Sequence, residues 1–255
     1  MNLQELELDH ISPSSISTYL DSPLRWRQHY IEGVRDTYGF ALHRGIVVHS
    51  VLERYFTHLL HGIELEIPLY EALPAWVEGA WHKEYADHNA AFESTDKDLI
   101  EVISLVQSYI DMIGESVKPV AIEAPFALDL PYAKKLTKMI GRIDLIGEID
   151  GKLVVIDFKT SGRKKSLSDV RHDPQAIIYG MAMRKEGVEG KVPFRYDQMI
   201  FKSKPEIAIL ERTVFPEEMD RFEELFLKPF IKTLEWQVEE DAFFFSPSAR
   251  YGTGF

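Results

Sequence analysis

The sequence predicts an α/β or α+β fold, a core of strands and helices preceded by a helical N-terminal part. Three observations support this prediction. Apolar residues recur at helical spacing through much of the first 115 residues, and a strand followed by a hairpin comes next. The rest of the chain then reads as a helix, a second strand pair and a final helix. This order of elements is typical of a sheet that packs against helices.

Length and composition indicate one ordinary globular domain. The chain has 255 residues, of which 45% are hydrophobic and 27% charged. No internal repeat, low-complexity stretch or clear linker divides it. The net charge of −12 argues against a nonspecific nucleic-acid coat protein, which would be basic. It is compatible with an enzyme that has a locally basic groove.

The absence of cysteine excludes several kinds of site. With no cysteine in the chain there is no disulfide, thiolate zinc site or cysteine-ligated iron–sulfur cluster. No apolar run approaches the ~18 residues of a transmembrane helix, and the acidic start MNLQELELDH lacks a signal-peptide pattern. We therefore expect no membrane association and a cytoplasmic location.

The first half of the chain reads as a series of helices. Ser12 is the predicted cap of the first helix, which Pro23 interrupts or restarts. A longer helix is predicted over 41–60, and His49 and Glu53 lie one turn apart on it. Such a pair is either a metal ligand with its orienting partner or a hydrogen-bonded structural pair. Two further helices are predicted over 69–87 and 98–115.

Strand-forming residues dominate from 117 to 161. A strand is predicted over 117–129, and it includes Glu123. Asp150-Gly151 then predicts the two-residue turn of a hairpin within 141–161. Such a turn sets the pairing, so that the numbers of facing residues sum to 301. Asp144 is therefore expected to face Asp157, and Lys159 shares the face of Asp157.

Two facing carboxylates repel each other and destabilise a sheet. A shared proton or a bound cation offsets that repulsion. A lysine beside the pair favours a divalent-metal site with a cationic partner for an anionic substrate. The alternative is a solvated hairpin face with ordinary charges, because the DxK pattern also occurs by chance.

The remaining elements follow with clear start signals. Asp173-Pro174 begins a helix on which Gln175 and Tyr179 share a face, as polar groups available to a ligand or as one polar edge of a core helix. Two strands over 194–202 and 207–214 form a second pair. An amphipathic helix over 215–240 ends the predicted fold.

Four motifs in this order resemble one known family. They are SxSxIxxYxxSPxRWxxxY, GIVVHSVLE, GRIDLI with VVIDFKTS, and QAIIYGMAM, and they span residues 12–183. The chain resembles the RecB-like branch of the PD-(D/E)XK nucleases, which includes CRISPR-associated adaptation exonucleases and many phage exonucleases. The resemblance implies one nuclease domain over 1–255 with a restriction-endonuclease-like core, a central mixed sheet flanked by helices. Its helical N-terminal region and insertion would cover about 12–116, and the nuclease core about 117–240.

The resemblance also implies roles for individual residues. The implied metal ligands for Mg²⁺ or Mn²⁺ are His49, Asp144, Asp157 and the carbonyl of Phe158. Lys159 matches the lysine that positions the attacking water, which makes Asp144, Asp157 and Lys159 the expected catalytic set. Substrate contacts are expected from Gln175, Tyr179, Thr160 and Arg163.

One departure from the family concerns an iron–sulfur cluster that many relatives carry. Ser22 stands where those relatives have the first ligating cysteine, so no cluster is expected here. We expect the C-terminal segment to pack on the N-terminal helix through Phe243, Phe244 and Phe245 instead.

The expected function is that of a metal-dependent DNA exonuclease in recombination, repair or phage DNA processing. A structure-specific endonuclease is the alternative within the enzyme class. A non-catalytic DNA-binding subunit of a helicase or recombinase complex is the alternative outside it. The expected partners are single- or double-stranded DNA, especially its ends, together with a recombinase, annealing protein or helicase.

Overall fold

The computed structural model of the chain describes residues 8–34, 37–88, 90, 92–171 and 173–244. The helices are α1 (Pro13–Asp21), α2 (Pro23–Tyr30), α3 (Phe40–His61), α4 (Leu69–Asp87), α5 (Asp96–Ile113), α6 (Leu167–Arg171), α7 (Pro174–Lys185), α8 (Pro216–Phe222) and α9 (Lys228–Glu240). The strands are β1 (His10–Ile11), β2 (Lys118–Asp129), β3 (Lys138–Ile149), β4 (Lys152–Ser161), β5 (Val192–Ile200) and β6 (Glu206–Val214). Among these described helices, none combines the length and the apolar character that crossing a bilayer requires.

The strands form one mixed sheet in the order β1-β3-β4-β5-β6, with β2 on the other edge of β3. β1 runs parallel to β3 and β4 parallel to β5, while the other pairs are antiparallel. Helices α3, α4 and α5 cover one face of the sheet and build one apolar core. Helices α1, α7 and α9 cover the other face and build a second core. The predicted mixed sheet flanked by helices is confirmed.

The hairpin between β3 and β4 has the predicted register. Leu145 pairs with Ile156 and Ile149 with Lys152, so the numbers of facing residues sum to 301. Asp150 and Gly151 have φ values of 51° and 73°, which a turn matching the twist of a hairpin requires.

Beyond Leu145 the two strands separate, and this separation creates space for a site. β4 continues along β5 as far as Ser161. On the edge of β3 that β4 has left, the described pairings resume only at Lys138 and Met139, which pair with β1. Backbone groups of both strands are therefore free at this point to bond with side chains.

Most predicted boundaries lie within two residues of the observed ones, and three elements differ. The two-residue strand β1 was not predicted, because it is too short to show any periodicity. Leu167–Arg171 is a short helix where a polar connection was expected. The final helix contains a π-helical turn, Glu223–Leu227, which divides it into α8 and α9.

The C-terminal segment packs on the N-terminal helices, as predicted for Phe243. The rings of Phe243 and Trp26 stack with centroids 6.0 Å apart. Arg27 Nε lies 2.9 Å from Asp241 Oδ1 and fixes the same junction. The prediction is wrong for Phe244, whose side chain is 55% exposed. Phe245 lies outside the described residues.

Candidate metal and catalytic site

Three possible metal ligands, called the metal group below, converge where β3 and β4 separate. They are His49 on α3, Glu123 on β2 and Asp144 on β3, and one ligating atom from each lies within 4.8 Å of the others. All three side chains are half-buried. An imidazole and two carboxylates form a donor set that suits Mn²⁺ and also Mg²⁺.

Asp144 is fixed by the backbone that the separating strands leave free. Its Oδ2 accepts a hydrogen bond of 2.7 Å from the N–H of Phe158. His49 Nδ1 lies 3.7 Å from the same oxygen. Burial, together with the charge of Lys159, lowers the pKa of His49 to about 4. The imidazole is therefore neutral at pH 7 and keeps a lone pair for a metal ion.

Glu123 reaches the group because of the register between β2 and β3. Ile122 pairs with Leu145 and Ala124 with Ile143, so Glu123 lies directly opposite Asp144. Its φ of 45° is in the left-handed region, which residues other than glycine rarely adopt. Strain of this kind is concentrated at functional sites.

Asp157, Lys159 and Gln175 form a hydrogen-bonded triangle next to the metal group. Lys159 Nζ lies 2.7 Å from Asp157 Oδ2 and donates to Gln175 Oε1 at 2.9 Å. Gln175 Nε2 donates to Asp157 Oδ1 at 2.8 Å, which closes the triangle. Asp157 is only 1% exposed. Burial lowers the pKa of Lys159, but the charge of Asp157 outweighs it, so the pKa is raised and the amine stays protonated.

Tyr179 supports this triangle from α7. Gln175 Nε2 donates to its hydroxyl at 2.7 Å, and the hydroxyl in turn donates to the carbonyl of Arg142 at 2.8 Å. That carbonyl belongs to the part of β3 that pairs with β2 but no longer with β4. The carboxylate of Asp173 caps α7 by accepting from the N–H of Gln175 at 2.9 Å. Tyr179 is 3% exposed, so it holds the site in place from inside the core.

The balance of charge in the site favours a bound cation. The site holds three carboxylates: Asp157 is paired with the ammonium group of Lys159, and those of Glu123 and Asp144 lie together in the metal group. Burial and the neighbouring Asp157 raise the pKa of Asp144 to about 8. Burial also raises the pKa values of Glu123 and Asp157. A divalent cation supplies the positive charge that this cluster lacks, so the donor set fits the predicted metal ion.

The structure places the other predicted site residues at different distances from this centre. Phe158 borders the cluster, since its N–H binds Asp144 and its ring lies edge-on to that of His49, with centroids 5.9 Å apart. Thr160 lies against α3, where a Cβ on Gly45 would be 2.9 Å from its Oγ1, so the glycine allows the helix to approach β4. Arg163 is exposed in the loop after β4.

Two residues beside the site were not assigned a role from the sequence. Glu123 is the sole charged residue between Lys118 and Asp129, and this isolation in an apolar strand was the available signal. Arg142 precedes Asp144 by two residues and is exposed, and among the described residues it forms no ion pair. Its charge acts on Glu123, whose pKa it lowers against the effect of burial.

Two solved structures were compared with the chain, and the first has a similar fold at low sequence identity. A candidate exonuclease from Eubacterium rectale has a TM-score of 0.60 and 13% identity, over 91% of this chain and 82% of that one. The protein SSO0001 has a TM-score of 0.32 and 19% identity, over 75% of this chain and 84% of that one. No curated protein matches the chain.

Comparison with families gives a match over most of the sequence. The sequence model described as the PD-(D/E)XK nuclease superfamily matches residues 10–238, which contain every element described above from β1 to α8 and most of α9. The match includes all members of the metal group and of the triangle. The chain therefore belongs to the PD-(D/E)XK nuclease superfamily.

Proposed function

We propose that this chain is a divalent-metal-dependent DNA exonuclease. The observation that carries the proposal is the metal group beside the ion pair of Asp157 with Lys159, at the point where two strands separate. A cluster with this charge and these donors is suited to hydrolysis of a phosphodiester with the help of a cation. The structurally similar protein from Eubacterium rectale is itself named as an exonuclease, which supports the exonuclease assignment.

Each residue has a distinct task in the proposed reaction. His49, Glu123 and Asp144 hold the metal, with Asp157 and the Phe158 carbonyl as further predicted ligands. When bound, the cation lowers the pKa of a water molecule and polarises the phosphate. Lys159 orients the attacking oxygen and neutralises charge on the phosphate in the transition state. The oxygen of a water molecule forms a new bond to phosphorus and loses a proton to solvent. The bond from phosphorus to the leaving oxygen breaks, and that oxygen takes a proton from solvent.

Gln175 and Tyr179 act in this proposal as positioning residues. Gln175 binds both Lys159 and Asp157, so it fixes the distance between the amine and the carboxylate. Substrate contact is assigned to the exposed Arg142 and Arg163 and to the half-buried Thr160 near the end of β4. The proposal includes a role in DNA recombination, repair or phage DNA processing, with a recombinase, annealing protein or helicase as a partner.

Digestion of end-labelled single- and double-stranded DNA with Mg²⁺ or Mn²⁺ tests the proposal. We expect Asp157→Ala and Lys159→Ala to lower the cleavage rate by at least ~100-fold, because each removes a group that acts in the transition state. Lys152→Ala is the matched control, since Lys152 is an exposed lysine at the other end of the same strand. EDTA should abolish wild-type cleavage.

The outcomes separate the proposed activity from its alternatives. Retained cleavage in either purified variant contradicts the assignment of the triangle. Cleavage of circular single-stranded DNA identifies an endonuclease, because an exonuclease requires an end. Binding to DNA ends without any cleavage in Mn²⁺ identifies a non-catalytic subunit.

A further inference from the structure

A pocket of about 440 Å³ lies between α3 and α4, next to the metal group. Its volume falls within the range of about 300–1,000 Å³ that is usual for small-ligand sites. Ser50 and Glu53 line the end nearest the site, one and four residues after His49 on α3. The charge of Glu53 contributes to the raised pKa of Glu123, so the two carboxylates are near each other. Glu53 also lies one helical turn after the possible metal ligand His49 on α3, so this end of the pocket is close to the region where the scissile phosphate is expected.

The wall of the pocket contains a stack of flat groups. The guanidinium carbon of Arg54 lies 4.3 Å from the ring centroid of Trp76. The ring of His58 stacks on the same indole, with centroids 5.0 Å apart and planes 30° apart. Trp76 is 7% exposed, so the indole holds Arg54 and His58 in place from beneath. Nucleobases stack on guanidinium planes and aromatic rings of this kind.

The same wall offers polar groups and an open side. His58 Nδ1 is buried and has no hydrogen-bond partner in the described part of the chain. Gly79 lies on the facing helix, and a Cβ there would meet nothing within 4 Å. Lys83, one turn further along α4, adds a cation at the rim. The pocket thus combines a surface for stacking with cations for the flanking phosphates.

We propose that the pocket between α3 and α4 binds one unpaired nucleotide of the DNA strand whose phosphodiester is cut. The base stacks on the Arg54 guanidinium, its polar edge faces His58, and a neighbouring phosphate binds at the rim. The faces and edges of a base in a duplex are occupied by stacking and pairing, so only an unpaired base can stack on Arg54. The site therefore selects single-stranded DNA or an end with unpaired nucleotides. This inference rests on the proposed nuclease function.

Filling the pocket gives the sharpest test. Gly79→Leu places a side chain in the open space. It also removes a glycine from the interior of a helix, so the melting temperature should stay equal or rise. Arg54→Lys keeps the charge but removes the flat guanidinium. Ala75→Leu is the matched control, because it adds the same side chain at an exposed position one turn earlier on α4, outside the pocket.

Binding is measured with end-labelled single-stranded oligonucleotides in Ca²⁺, so that cleavage does not interfere. We expect Gly79→Leu and Arg54→Lys to weaken binding at least ~5-fold, as expected for loss of one stacked base, and Ala75→Leu to bind as wild type. A single abasic nucleotide, placed at successive positions, should weaken wild-type binding at one position near the cut. The same substitution should have no effect on Gly79→Leu.

Each contrary result has a distinct meaning. Wild-type affinity in Gly79→Leu, or abasic effects that are equal in wild type and Gly79→Leu, overturns the pocket assignment while cleavage stands. Equal affinity of the wild type for blunt duplex and single strand also overturns it. Absence of both DNA binding and cleavage in the wild type refutes the nuclease function, and the pocket assignment with it.

Discussion

Glu123 combines an unfavourable backbone conformation with a charged side chain in an otherwise apolar strand. A glycine would adopt its φ of 45° without strain, yet a glutamate occupies the position. β2 pairs only with β3 among the described strands, so it is an edge strand and tolerates the irregularity, as it tolerates Pro119 and Pro125. The carboxylate opposite Asp144 explains why the strain is retained.

Replacing Glu123 with glutamine should therefore weaken metal binding. We expect Glu123→Gln to lower Mn²⁺ affinity at least ~10-fold, since an anionic ligand becomes neutral. The metal-free variant should unfold at a higher denaturant concentration than wild type, because one of three crowded carboxylates is gone. Isothermal titration with Mn²⁺ and urea unfolding measure the two effects.

The control for this variant is Glu148→Gln, a half-buried glutamate on β3 away from the cluster. It should bind Mn²⁺ as wild type does. Unchanged Mn²⁺ affinity in Glu123→Gln would remove Glu123 from the ligand set.

The sequence predicted Asp144 and Asp157 together but did not predict the role of Glu123. The Asp-Gly turn fixes the β3–β4 register locally, so counting outward from it gives the right pairs as far as Leu145 and Ile156, one pair short of Asp144 and Asp157. β2 and β3 are joined by residues 130–137, which contain no such signal, and the ladder shifts between Pro119 and Ala121. The position of Glu123 opposite Asp144 depends on packing that a single sequence does not show.

Helix α5 is joined to the sheet by a hydrogen bond to a buried ion pair of β5. Arg195 Nε lies 2.6 Å from Asp197 Oδ1 on β5, and Tyr109 on α5 donates to Asp197 Oδ2 at 2.6 Å. Asp197 is fully buried and Arg195 is 4% exposed. Since Phe158 pairs with Asp197 in the sheet, this contact also sets the height of α5 above the catalytic strand.

Breaking this contact should destabilise the fold in a graded way. Asp197→Ala leaves a buried guanidinium without its partner and should cost about 3–5 kcal/mol of unfolding free energy. Tyr109→Phe removes one hydrogen bond to a charged group and should cost about 1.5–3 kcal/mol. Urea unfolding of both variants checks the order, and an equal or smaller loss in Asp197→Ala would contradict it.

Long helices were predictable because their apolar period repeats over several turns, as in α3 and α5. Short elements were not. Leu167–Arg171 has a single helical turn and follows a run of three basic residues, so its sequence is dominated by polar side chains. The division of the final helix by a π-helical turn at Glu223–Leu227 leaves the apolar spacing almost unchanged.

The molecule carries a net charge of −12, yet several cations gather at one end of its sheet. The parallel strands β4 and β5 end side by side, so the loops that follow them emerge together. These loops carry Arg163, Lys164, Lys165, Lys202 and Lys204. Gln198 accepts from the N–H of Lys165 at 2.7 Å and so fixes the first loop. Glu206 pairs with both Lys164 and Lys202.

The salt dependence of DNA binding should reveal which of these cations contact phosphates. Each lost phosphate contact lowers the slope of log K against log salt by about 0.7–0.9. The double variant Arg163→Ala/Lys165→Ala should therefore lower the slope by about 1.4–1.8. Lys97→Ala/Lys232→Ala removes two exposed cations from α5 and α9 and should leave the slope unchanged. Equal slopes in the first variant and wild type would exclude these contacts.

Tyr19 on α1 has both its ring and its hydroxyl occupied by α9, through Phe230 and Gln237. The bonded residues are 218 positions apart in the chain. At a synthesis rate of about 5–20 residues per second, the ribosome needs roughly 10–45 s to deliver the second after the first. During that interval the part of α1 that α9 covers in the folded protein has no native partner. This apolar surface is therefore open to aggregation until α9 has emerged.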